Sequence, residues 1–145
     1  MRKILIACLA TALFFAINAC KKDSNNSGAK TVANLSGSYG ITAISGNFGG
    51  LSINLYDSLP DCEKDNTIQL NTNMTAVFVD AGTKCVPPSD SSGVWSLSSN
   101  SDTLYLAGTA AYIKSWDGST LVLTNSESVS GIPLPIAVTT TLKKK

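Results

Sequence analysis

The sequence predicts an all-β fold: an antiparallel up-and-down meander closing into a barrel, with a β-sandwich as the alternative. Three observations predict it. The 145-residue chain is 43% hydrophobic and only 14% charged, with Ser, Thr, Asn and Gly filling the gap, which is the composition of strands joined by polar turns. Apolar residues alternate with polar ones in eight or nine short segments. Past the N-terminal leader no long segment carries a 3.6-residue apolar period. A meander that closes on itself leaves no strand edge open, so the barrel is the economical arrangement.

In chain order, the first element is a leader. Arg2-Lys3 is a basic start, Ile4 to Ile17 is an apolar run broken by Thr11, and Asn18-Ala19-Cys20 follows. That is the pattern of a signal peptide, and the run is short for a membrane span. Ala19-Cys20 resembles the lipobox of bacterial lipoproteins, although Ile17 and Asn18 depart from its commonest residues. The resemblance implies cleavage after residue 19, lipid on the Cys20 thiol, and a membrane partner reached through that anchor. Residues 20–33 then read as the lipidated cysteine and a polar, Ser/Asn/Gly-containing tether. Lys21-Lys22-Asp23 resembles the export tags of some Gram-negative surface lipoproteins. The expected location is the bacterial cell envelope, lipid-anchored at the outer membrane, on its periplasmic or surface face. Without the leader, nine lysines face ten carboxylates and no arginine remains, which argues against a nucleic-acid partner.

Four cysteines are present, of which Cys8 lies in the leader and Cys20 takes the lipid. The pair left, Cys62 and Cys85, sits in an oxidising compartment, and a disulfide is the expected state.

The domain is expected over residues 34–145. Leu35 to Ser45 places Tyr39, Ile41 and Ala43 on one face. Leu51 to Tyr56 alternates as Leu51, Ile53, Leu55. Thr67 to Asn71 and Thr75 to Asp80 follow, the latter with Val77 and Val79. Gly93 to Ser98 pairs Trp95 with Leu97, and Thr103 to Ala107 pairs Leu104 with Leu106. Ala111 to Trp116 and Thr120 to Thr124 flank Asp117-Gly118, a strong hairpin signal because glycine accepts positive φ. Ile136 to Leu142 closes the series. A short helix over Leu55 to Lys64 is conceivable, but Pro60 argues against it.

These residues resemble the lipocalin-like lipoprotein domains of Gram-negative bacteria. The likeness rests on Leu35-Ser36-Gly37-Ser38-Tyr39, on Cys62 and Cys85 flanking the Ile68 to Val79 hairpin, on Gly93-Val94-Trp95-Ser96-Leu97, on Leu104-Tyr105-Leu106, and on Trp116-Asp117-Gly118-Ser119-Thr120-Leu121-Val122-Leu123. It implies a small barrel with a pocket for an apolar ligand, and it brings no activity with it.

Histidine is absent, which removes Ser-His-Asp and Cys-His catalysis and the commonest metal ligand. A Ser-Lys pair built on Lys84 or Lys114 is weaker than a solvated lysine. Asp57, Asp61, Glu63 and Asp65 do not have the spacing of a calcium loop. No enzyme, cofactor or metal is therefore expected. The candidate ligand-binding residues are the aromatics Tyr39, Tyr56, Trp95 and Trp116, with Trp116 placed at the barrel rim because it precedes a turn. The competing reading is a structural or protein-interaction module, using the loops Val86 to Ser92 and Asn125 to Pro135 to contact an envelope partner.

Overall fold

The computed structural model describes residues 28–128 and 135–145. The expected leader, Cys20 and the expected tether as far as residue 27 lie outside the described residues, as do residues 129–134. The elements are α1 (Val32–Leu35), β1 (Gly37–Phe48), β2 (Leu51–Asn54), α2 (Asp61–Lys64), β3 (Thr67–Leu70), β4 (Thr75–Val79), β5 (Ser91–Leu97), β6 (Thr103–Leu106), β7 (Thr109–Trp116), β8 (Thr120–Glu127) and β9 (Ile136–Lys144).

Every strand pairs antiparallel with its neighbour, and β1 closes on β9, so that β1 and β3 to β9 form an eight-stranded up-and-down barrel. A single closed sheet forms, not the sandwich. The register assigns the inner wall, because directly opposed residues share a face. Leu121 faces Leu142, which faces Ile41; one level up, Leu123 faces Thr140, which faces Ile44. Between Ile41 and Ala43 the ladder shifts by a bulge, which adds a residue to β1. That reverses the alternation, so Ile44 turns inward and Ala43, expected to share the face of Tyr39 and Ile41, is exposed. On β4 the inward side chains are Ala76 and Phe78, opposite Leu70 and Ile68, while Val77 faces outward and Val79, at the top of the strand, borders the mouth.

The ends of the barrel differ. One end, the base, holds α1 and the turns β3–β4, β5–β6 and β7–β8. The other, the mouth, holds the connections β2–β3, β4–β5, β6–β7 and β8–β9. The upper half of β1 rises beyond β3 and carries β2 on its free edge, from Ser45 opposite Asn54 to Phe48 opposite Leu51.

The base is packed solid. Leu35, Tyr39, Leu70, Trp95, Leu104, Ile113, Trp116, Leu121 and Leu142 are all buried in one cluster. Each such aliphatic or aromatic side chain contributes about 1.5–3 kcal/mol on burial. Two of the three ring polar atoms that enter with them find partners, while Trp116 Nε1 is buried without one. Tyr39 donates its hydroxyl to the Leu35 carbonyl at 2.6 Å, and Trp95 Nε1 donates to the Asn71 carbonyl at 2.9 Å. Lys144, inward-facing on β9, plugs the end: its Nζ donates to the Asn34 carbonyl at 2.7 Å and lies 5.8 Å from the Tyr39 ring and 5.2 Å from the Trp116 ring. Burial holds the Lys144 ammonium below, and the Tyr39 phenol above, their usual pKa ranges.

Both short helices depart from the sequence expectation. Val32 to Leu35 forms a turn of helix capped by the Thr31 hydroxyl, and its Leu35 belongs to the core. Lys30, ahead of it, pairs with Asp102 at 2.9 Å. The folded unit therefore begins before residue 34. At the mouth, Pro60 occupies the position just before Asp61–Lys64, where a missing N–H breaks no helical bond, and its carbonyl accepts from Glu63 N at 2.9 Å.

Candidate functional site

Above the packed base, the barrel opens into two adjoining chambers. The axial chamber, about 330 Å³, is walled by inward residues of β3, β4, β6, β7, β8 and β9, chiefly Ile68, Phe78, Leu106, Ala111, Leu123 and Leu142. Thr109, Asn125 and Thr140 add uncharged polar groups to it. The lid chamber, about 340 Å³, lies under the β2–β3 connection and is walled by Ile41, Ile44, Leu59, Ile68, Phe78 and Val79. Glu63, Asn66, Thr67, Ser89 and Ser91 supply its polar edge. Ile68 and Phe78 line both and form the partition between them. Mostly apolar walls with a few polar groups at one edge, at the mouth of a β-barrel, are the usual form of a small-molecule site.

A chamber survives because of side-chain size. Ala111 on β7 and Thr109 above it are small, and they stand opposite Leu104 and Leu106 on β6. Threonine at 140 shortens the wall between Leu123 and Ile44. Lower down, the same strands carry Ile113, Trp116 and Leu121, all buried in the base cluster, and Leu142 forms the chamber floor.

The lid is fastened rather than loose. Cys62 and Cys85 are joined, with 23 residues of sequence separation, linking the β2–β3 and β4–β5 connections. Three hydrogen bonds follow the same route: Thr83 N to Asp65 Oδ2 (2.8 Å), Ala81 N to Asn66 Oδ1 (3.1 Å), and Asn66 Nδ2 to Ser89 Oγ (3.0 Å). Gly82, at φ +55°, lies against the Asp65 carboxylate with no room for a Cβ. Within the β4–β5 connection, the fully buried Asp80 accepts from Cys85 N at 3.1 Å and Ser89 N at 3.2 Å, and Lys84 Nζ donates to the Asp80 carbonyl. A buried carboxylate turned toward backbone N–H groups organises a loop; it is not aimed at a ligand.

The four aromatics singled out from the sequence occupy other places. Tyr39, Trp95 and Trp116 are buried in the base, and Tyr56 lies in the lid connection; none of the four is among the residues lining either chamber. Trp116 is not at the rim, because β7 runs from mouth to base and ends there. Leu106 and Leu123 do line the axial chamber. The wall residues that sequence reasoning missed, Ile68 with Phe78, Ala111, Asn125 and Thr140, are modest in type; only the strand register could have collected them. Among the described residues no three His, Cys, Asp or Glu side chains group to hold a metal.

A wider depression of about 740 Å³ lies on the outer surface between α1 and the β3–β4 turn. Its lining is mostly short polar residues such as Ser36, Ser38, Asn71 and Asn73, which cannot sequester an apolar molecule.

The family model for the lipocalin-like domain matches residues 35–123, from the core residue of α1 to the inward Leu123 of β8. No curated protein and no solved structure matches the chain.

Proposed function

The chain belongs to the lipocalin-like domain family, and on that premise we propose that its barrel holds a small apolar ligand or lipid without transforming it. The observation that carries this reading is the pair of apolar chambers, about 330 and 340 Å³, above the buried cluster of the base. A barrel built only for rigidity has no reason to keep small residues at Thr109, Ala111 and Thr140. We assign no catalytic role to any side chain.

Ligand capture is tested by native mass spectrometry of the purified protein and by titration with a neutral fluorescent probe such as N-phenyl-1-naphthylamine. A co-purifying molecule or saturable probe binding, abolished by Ala111→Trp in a variant that stays folded, supports the reading. No bound molecule and no saturable probe binding refutes it.

The same proposal places the barrel in the envelope, tethered by lipid on Cys20 after export. Radiolabelled palmitate should be incorporated by the native chain and not by Cys20→Ser, with the variant moving to the soluble fraction. A palmitate-free chain sinks this part.

A second reading, an interaction module, draws support from the mouth. Val86 in the β4–β5 connection is 96% exposed, and Leu51 and Ile53 on β2 are 70% and 53% exposed. Pull-down of one envelope partner, lost on replacing Val86 to Ser92, favours it over ligand capture.

A further inference from the structure

We propose that the barrel selects amphiphiles with a cationic head, alkyl amines in kind, over carboxylates such as fatty acids. This deepens the ligand-capture reading above and rests on it.

The carboxylates of the domain are concentrated at one end. Of the nine carboxylate side chains among the described residues, seven lie at the mouth: Asp57, Asp61, Glu63 and Asp65 in the lid connection, Asp80 and Asp90 in the one opposite, and Glu127 at the end of β8. Three ammonium groups stand among them. Lys64 is paired with Asp61 at 3.0 Å, Lys84 sits on the Asp80 carbonyl, and Lys145 reaches up to Thr67 Oγ1 at 2.7 Å. The base carries the rest: Lys30, Lys114, Lys143 and Lys144, against Asp102 and Asp117. The mouth thus carries four more carboxylates than ammonium groups, and a cleft with a net excess of one sign between low-dielectric walls concentrates ligands of the other sign.

The lining carries the same bias inward. Glu63 is the one side chain with a formal charge among the residues of either chamber. Glu63 is exposed at the chamber edge, and its carboxylate has no hydrogen-bond or ion-pair partner among the described residues; Ser89 and Ser91 line the same chamber. No lysine lines either chamber. Lys144, the inward lysine of β9, is committed to the Asn34 carbonyl and the two base rings. An ammonium left at the edge while its chain passes Ile68 and Phe78 thus meets an unpaired carboxylate and hydroxyl acceptors. A carboxylate in the same place meets Glu63 and no cation, and its desolvation goes uncompensated.

The test uses the full chain with Cys20→Ser, so that no acyl chain competes, and displacement of N-phenyl-1-naphthylamine at pH 7.5. The competitors are dodecylamine, dodecanol and laurate, each below its micelle concentration. Dodecylamine should displace the probe at about tenfold lower concentration than laurate, with dodecanol between them, and added salt should narrow the gap. Glu63→Gln should raise the dodecylamine midpoint several-fold and leave that of dodecanol unchanged. Equal midpoints for amine and laurate, or a lower one for laurate, overturn the inference while leaving ligand capture standing. A probe that never binds overturns both.

Discussion

Opening the cross-link between the two mouth connections should cost the domain stability without costing it the site. Cys62→Ala/Cys85→Ala removes a closure spanning 23 residues of sequence. Chain entropy for a loop of that size gives about 3.5 kcal/mol at 25 °C, all of it acting on the unfolded chain. For a domain of this length that corresponds to a fall in Tm of roughly 10–15 °C. The folded lid keeps three other ties to the same neighbour, from Asp65 and Asn66 to Thr83, Ala81 and Ser89, so its native geometry should survive. Urea denaturation of both forms reads the loss directly. The m-value should rise, because the uncrossed denatured chain exposes more surface. Probe affinity, measured well below both midpoints, should stay within about twofold, since the added conformational freedom belongs mainly to the denatured chain. A stability loss under about 1 kcal/mol with an unchanged m-value refutes the entropic account. A tenfold loss of probe affinity in the folded variant refutes the claim that the hydrogen bonds alone hold the lid.

Three further outcomes are expected. Tyr39→Phe leaves the buried Leu35 carbonyl without its 2.6 Å donor and should destabilise by about 1–3 kcal/mol in urea, whereas Tyr105→Phe on the exposed outer wall should change stability by less than about 0.5 kcal/mol. Asp80→Ala strands the N–H groups of Cys85 and Ser89; it should cost about 2–3 kcal/mol, with hydrogen exchange at those two amides rising more than at the base strands. The Asp117 carboxylate, held by the backbone N–H groups of Ser119 and Thr120 and by the Ser119 hydroxyl, should titrate at about 2 rather than the usual 3.8. Its folded pKa lies below the unfolded one, so its contribution is present above about pH 4 and is lost as pH falls toward 2. Carboxyl NMR titration checks the value, and Asp117→Asn should flatten that part of the acid stability curve.

The strands were legible because their sequence period is their structural period. Trp95 with Leu97, Leu104 with Leu106, and Leu121 with Leu123 each alternate and each turn inward. The reading failed where backbone events leave no mark on hydropathy. The bulge at Ile41/Ala43 swaps Ala43 for Ile44 on the inner wall, and nothing in Ile-Thr-Ala-Ile announces it. On β4 an apolar run such as Ala-Val-Phe-Val has no polar phase to choose a face, and the register alone turns Ala76 and Phe78 inward. The aromatics were misleading for a thermodynamic reason. Large rings are the most effective fillers, so they end in the closed base, while a cavity is bounded by whatever is too small to fill it. Small size at Ala111 or Thr140 becomes a signal only once the register places them opposite larger neighbours. The cysteine pair was legible from count, because with Cys8 and Cys20 assigned to an expected leader and anchor, two thiols remained.

The seam between β1 and β9 joins the opening of the domain to its last residues: Tyr39 stands opposite Lys144, and the Lys145 N–H donates to the Ser38 carbonyl at 2.9 Å. Until β9 is in place, the cylinder lacks its closing stave and the stopper in its floor. A meander of local hairpins can assemble stepwise, yet the enclosed volume exists only once β9 bridges β8 and β1, and the β1–β9 seam is the one pairing among the described strands of the cylinder that joins strands distant in sequence.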